Sequence, residues 1–185
     1  MGPSGPALFD EDTRMQFLRA IVRGIDAFSE WSGRIVCWLI IPLTFGTVYD
    51  VIMRYFFHQP TKWAYELTWM EYAAFFLLGG AFALKNKNHV RVDILHNMLS
   101  ERAQAIYDSI IFLVIFAPVF FFLLKHGFKY AAYSFEIRET SYLSYWQPYV
   151  YPIKAIIPLA FAMFALQSIS EFIKNATYAI RNKPL

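Results

Sequence analysis

The sequence predicts an all-α integral membrane protein: four transmembrane helices, one or two interfacial amphipathic helices, and both termini in the cytoplasm. Three observations carry the prediction. Of 185 residues, 57% are hydrophobic and only 17% charged, against about 45–50% and about 25% in soluble domains. The apolar residues gather into blocks long enough to cross a bilayer, which takes roughly 20 residues at 1.5 Å each. Lys and Arg are distributed unevenly among the segments between those blocks.

Residues 1–12 are expected as a flexible amino-terminal segment. Asp10, Glu11 and Asp12 precede the first basic residue and no continuous apolar core follows, so a cleavable signal is not expected. Residues 13–31 follow as an interfacial amphipathic helix. Phe17, Ile21, Ile25 and Phe28 recur at helical spacing, with Arg19, Arg23, Asp26 and Glu30 on the other face. Lipid and a partner's helix are both open as the surface it covers.

A transmembrane domain is expected over 32–174, with spans at about 35–57, 63–84, 104–124 and 149–173, and a tail over 175–185. The charge-free cores Ser109–Leu124 and Ala155–Ser170 hold 16 residues each, so their flanking polar residues must reach the interface. Pro42, Pro118 and Pro158 fall inside spans, where neighbouring helices can satisfy the freed carbonyls. A second surface helix is predicted after Asp93, with Leu95, Met98 and Leu99 on one face. Ser100 is then placed to cap the third span, with Glu101 in its first turn.

Eleven Lys and Arg lie on the side of the two termini and the segment between spans two and three, against six on the other. By the positive-inside rule the termini face the cytoplasm. The loop Lys125–Pro148 then faces outward. Its aromatics, with those opening span four (among them Tyr130, Tyr133, Tyr142, Tyr145, Trp146 and Tyr149), read as an interfacial belt or as a ligand-stacking platform.

Catalytic constellations are missing from the sequence. There is no Gly-rich phosphate loop, nucleophile elbow or paired-cysteine metal motif. The single cysteine, Cys37, sits in an apolar run. His58, His89, His96 and His126 fall in loops or at span ends, which disfavours haem ligation between spans. No catalytic residue, metal, cofactor or nucleic-acid partner is expected.

Ionisable residues at membrane depth are the functional candidates. Asp50 can pair with Arg54 four residues on. Glu66 lies across the turn His58-Gln59-Pro60-Thr61 from Arg54, so an ion pair locking the hairpin is expected, with a transported-ion site as the alternative. Glu71 lies deeper, and a residue of another subunit would relieve its desolvation.

The segment Arg54-Tyr55-Phe56-Phe57-His58-Gln59-Pro60-Thr61-Lys62-Trp63-Ala64-Tyr65-Glu66-Leu67 carries a resemblance. So do Phe76-Leu77-Leu78-Gly79-Gly80-Ala81 with the following His89-Val90-Arg91-Val92-Asp93, and Trp146, Pro148, Pro152, Lys154 and Pro158. Over about Gly33 to Ile173 the chain resembles the small membrane subunit (DctQ type) of tripartite ATP-independent periplasmic (TRAP) transporters. Many members have two adjacent acids where this chain has Tyr65-Glu66.

The resemblance implies a non-catalytic scaffold subunit of a secondary active transporter importing an organic acid, in a bacterial inner membrane. It implies two partners: a large membrane subunit, which holds the substrate and sodium sites, and a periplasmic substrate-binding protein. Arg54, Trp63, Glu66 and Glu71 are the candidates for subunit-interface or hairpin-fixing roles. His89, Arg91 and Asp93 join them, as partner contacts or as caps of a turn at the headgroups. The competing readings are the membrane anchor of a quinone-linked oxidoreductase, and a self-sufficient small transporter coupled through Asp50 or Glu71.

Overall fold

The computed structural model describes residues 6–86 and 100–181, with side chains for residue 13, 15–86 and 100–180. Six α-helices run through them. They are α1 (Pro6–Cys37), α2 (Ile40–Tyr55), α3 (Ala64–Lys85), α4 (Glu101–Ile111), α5 (Ala117–Glu136) and α6 (Tyr151–Arg181). A five-residue π-helical segment, Phe112–Phe116, joins α4 to α5 without a break. Among the described residues, four helical stretches are long and apolar enough to cross a membrane: Met15–Tyr55, Ala64–Lys85, Glu101–Glu136 and Tyr151–Ile180. The all-α, four-span architecture is therefore as the sequence predicts.

Several boundaries differ from expectation. Helix begins at Pro6, inside the segment expected to be irregular, and α6 continues to Arg181, into the expected tail. The third span does not stop at Leu124. It continues to Glu136, so the predicted outer loop shortens to about residues 137–150. Lys125, His126 and Lys129 end the hydropathy run, but a helix's backbone bonds are closed internally and do not require an apolar side chain at each position. The predicted helix after Asp93 lies outside the described residues. Ser100 caps α4 as expected, its side chain accepting from the Ala103 amide.

The prolines are accommodated in three ways. Pro42 falls in the first turn of α2, after an elbow at Trp38–Leu39, where its missing N–H costs no helical bond. Pro118 would leave the Val114 carbonyl unbonded, and the chain is π-helical over that carbonyl. Pro158 lies inside α6, and a Cβ built on Gly127 of α5 would sit 3.6 Å from it. That is an ordinary van der Waals distance, so the two helices pack directly against each other there.

Helix α6 is the axis of the bundle. A third of its most apolar window is buried, against 6–11% in the other spans. Its buried stripe is Ile153, Ala160, Met163, Gln167 and Ser170. Against it, α5 buries Phe120, Gly127 and Ser134, seven residues apart, and α3 buries Ala74 and Ala81, also seven apart. Small residues on a seven-residue repeat let helix backbones approach in lipid, where there is no hydrophobic force to drive association. The outward surface is the reverse of a soluble protein's: Phe45, Phe76, Leu113, Val114 and Phe121 are all more than 60% exposed. Tyr142 and Tyr145, at 90% and 98% exposed, stand out from the loop before α6.

Candidate subunit-interface site

The polar side chains gather at the two ends of the bundle. At the hairpin end, Asp50 of α2 accepts from the Thr61 amide at 3.1 Å and from the Thr61 hydroxyl, and Arg54 donates to its other oxygen at 2.6 Å. Tyr49 stacks on Trp63, ring centroids 6.0 Å apart, across the same turn. His58 adopts φ 53°, the left-handed conformation that lets the Gln59 amide return to the Met53 carbonyl. Arg54 and Trp63 both lie at this turn, Arg54 bonded to Asp50 within α2 and Trp63 stacked across it on Tyr49.

The carboxylate that fixes the hairpin is Asp50, which corrects the expectation of a Glu66–Arg54 pair. Glu66 points the other way, into the bundle, and is completely buried. Its Oε1 accepts from the Ser141 hydroxyl at 2.6 Å and its Oε2 from the Trp69 indole at 2.8 Å. The side chain therefore ties the first turn of α3 to the loop before α6. That loop closes on itself through Ser141 N–H to Pro148 at 2.8 Å and Val150 N–H to Glu139 at 3.0 Å. The Lys154 ammonium, 4.2 Å from the Tyr130 ring centre, bonds Glu139 at 2.5 Å and holds that carboxyl below the usual carboxylate range.

At the other end, where the described termini lie, α1 is bolted to the bundle. The Ser29 hydroxyl donates to Gln167 at 2.6 Å, and Gln167 and Ser170 each donate to Asp26 at 2.9 Å. Lys174 pairs with Asp26 at 2.7 Å. One turn on, Glu30 takes both Lys85, at 2.6 Å, and Arg34, at 2.9 Å. Asp26 and Glu30 were expected on a solvated face, yet each is spent on a neighbouring helix. Phe17, Phe28, Trp31 and Ile35 point away, 44–66% exposed.

Glu71 stands apart. It lies seven residues, about 10 Å, into α3. Among the described residues, no hydrogen bond or ion pair reaches its carboxylate. His89, Arg91 and Asp93 lie outside the described residues. The roles of Ser141, Gln167, Ser29 and Lys174 were missed in the sequence. A buried Gln or Ser in a span is a signal that could have flagged some of them, but not their partners. No group of three or more metal-ligating side chains exists among the described residues.

Comparison with known proteins decides what this bundle is. The family model for the DctQ component of tripartite ATP-independent periplasmic transporters matches residues 43–177, nearly three-quarters of the chain. The chain belongs to this family. It is the small permease type of TRAP transporter subunit, a multi-pass protein of the bacterial inner membrane. Among its curated relatives is the C4-dicarboxylate TRAP transporter small permease protein DctQ of Vibrio cholerae. The two are 33% identical over 73 residues, which is 40% of this chain and 32% of that protein. Another is the sialic acid TRAP transporter permease protein SiaT of Haemophilus influenzae. There the identity is 26% over 99 residues, 54% of this chain and 16% of that protein. The matches therefore span no more than about a third of either relative's length.

Proposed function

We propose that this TRAP subunit is a non-catalytic scaffold that braces a large transport subunit during secondary active import of an organic acid. A periplasmic binding protein would deliver that acid. Both relatives' names specify carboxylate-bearing substrates, C4-dicarboxylates and sialic acid. The lysine and arginine count supports termini in the cytoplasm, which puts the Glu66 loop on the periplasmic face. Under this reading Arg54, Trp63 and Glu66 fix the shape of the hairpin end, and His89, Arg91 and Asp93 are candidate partner contacts.

The observation that carries the reading is Glu71. An unpartnered acid at bilayer depth costs about 3 kcal/mol on insertion scales. The other acids in the spans considered above are engaged by neighbouring helices or loops, while no described residue of this chain reaches this one. The large subunit supplies it under this proposal.

The test compares the chain alone, the chain with its large subunit, and the same pair carrying Glu71→Gln. Copurification yield and uptake in proteoliposomes supplied with binding protein are the readouts. The proposal expects no uptake by the chain alone, uptake by the pair, and weakened copurification for Glu71→Gln. Uptake by the chain alone overturns it. So does a Glu71→Gln pair that assembles normally but loses ion-coupled uptake, which makes Glu71 a transport site.

A further inference from the structure

Between α1, α3, α5 and α6 lies a half-open cavity of about 470 Å³. That is within the roughly 300–1,000 Å³ of small-molecule sites. Every described residue lining it is apolar, Gly33, Cys37, Phe76, Gly79 and Phe161 among them. Its glycines are not equivalent. A Cβ on Gly33 would come within 2.4–2.5 Å of Phe82, so that glycine is spent on helix contact. A Cβ on Gly79 would meet nothing within 4 Å. The space beside Gly79 is real room.

In a membrane an open apolar groove is bathed by acyl chains, which are as apolar as leucine. Desolvation therefore gives no preference for one lipid over another. The preference has to come from the headgroup. On the α1–α3 seam, one turn beyond the Gly33–Phe82 contact, sits the cluster Glu30, Arg34 and Lys85, two cations on one carboxylate. Its net charge is +1, and the Arg34 side chain is 74% exposed. Arg19 and Arg23, also exposed, follow the same arc of α1. A positive charge at the membrane-surface end of an apolar groove is complementary to one phosphodiester attached to one acyl chain.

We infer that this cavity seats an acyl chain of an anionic phospholipid whose phosphate lies against Arg34 and Lys85. The inference is independent of the scaffold role, since it concerns a surface this chain forms by itself. It makes α1, α3 and the lipid a single unit at that end of the bundle.

Native mass spectrometry of the full chain in mild detergent tests it, with dioleoylphosphatidylglycerol and dioleoylphosphatidylcholine as probes. One phosphatidylglycerol is retained per chain, favoured over phosphatidylcholine about fivefold, the effect of one basic group at an anionic surface. Arg34→Gln lowers that ratio toward one without removing the bound chain. Gly79→Phe fills the groove and removes both lipids, and Gly79→Leu does so to a lesser degree if the larger side chain disturbs folding. Equal retention of the two lipids by the unaltered chain refutes the inference. So does undiminished retention by a folded Gly79→Phe or Gly79→Leu variant. Loss of large-subunit binding with lipid retention intact assigns the groove to a partner's side chain instead, and equally overturns it.

Discussion

The bond between Ser29 and Gln167 joins residues 138 apart in sequence and can be tested quantitatively. Gln167→Leu keeps the side-chain volume nearly constant, so the cavity cost is small. It removes a 2.6 Å bond from Ser29 and a 2.9 Å bond to Asp26. The Asp26 carboxylate keeps Ser170 and Lys174, so its loss is partial. Ser29, at 1% exposed, is left with a buried hydroxyl and no acceptor, at about 1–3 kcal/mol. Together these place the cost of Gln167→Leu at about 2–4 kcal/mol.

Ser29→Ala removes one bond and strands the Gln167 oxygen, costing about 1–2 kcal/mol. The double variant has neither stranded group, so it is less destabilised than the sum. Hydrogen bonds between membrane helices average about 0.6 kcal/mol in such cycles and reach about 1.7, so a coupling of about 0.6–1.7 is expected. The assay is reversible unfolding by dodecyl sulfate in mixed micelles, on all four members of the cycle. Limited proteolysis should show α1 released first in Gln167→Leu. Additivity within about 0.3 kcal/mol would refute the reasoning, since the two side chains then do not sense each other.

Three further outcomes follow from the same geometry. Thr61→Val removes the hydroxyl that bonds Asp50 but keeps the amide, and should cost about 1 kcal/mol in the same unfolding assay, with Asp50→Ala costing more. Gly33→Leu drives a side chain into Phe82 and should cost about 1–3 kcal/mol, whereas Gly79→Ala, with open space at its Cβ, should be neutral or stabilising by up to about 1 kcal/mol. The Glu139–Lys154 pair lowers the folded carboxyl's pKa. Its contribution is therefore full above the free glutamate value of about 4.3 and is lost as pH falls through the lowered folded value. Protease access to the 137–150 loop should rise over that acid range, and Glu139→Gln should abolish the dependence.

The four spans were legible because a bilayer imposes a length and an apolarity that any sequence must display. Their ends were not. Lys125, His126 and Lys129 interrupt the hydropathy of the third span, but Phe120, Gly127 and Ser134 carry a seven-residue repeat straight through them. Reading the repeat rather than the hydropathy would have extended the helix. The choice of partner for Arg54 was ambiguous locally, because Asp50 and Glu66 both lay within reach of the hairpin. What decides it is the rotation of α3, which turns Glu66 toward Ser141, 75 residues away. No local pattern encodes that. Asp26 and Glu30 were legible as a polar stripe but not as ion-pair partners, since Lys174 and Lys85 belong to other helices.

The placement of polar groups bears on what the bundle can do. A protein that moves a solute through itself needs polar groups at mid-membrane that are free to exchange partners. Here Asp26, Glu30, Asp50 and Glu66 lie toward the ends of the bundle, and each is held by donors from other segments or a neighbouring turn. Between them the helices pack at Gly127 and bury the small residues Ala74 and Ala81. Under the proposed scaffold role, a bundle clamped at both ends would suit holding a shape against a moving neighbour. Glu71, unlike these, meets no partner among the described residues, and α3, the helix that carries it, is fixed to the α2 hairpin, the α6 loop and α1. A force applied at Glu71 would therefore be shared by the whole bundle rather than absorbed by one helix.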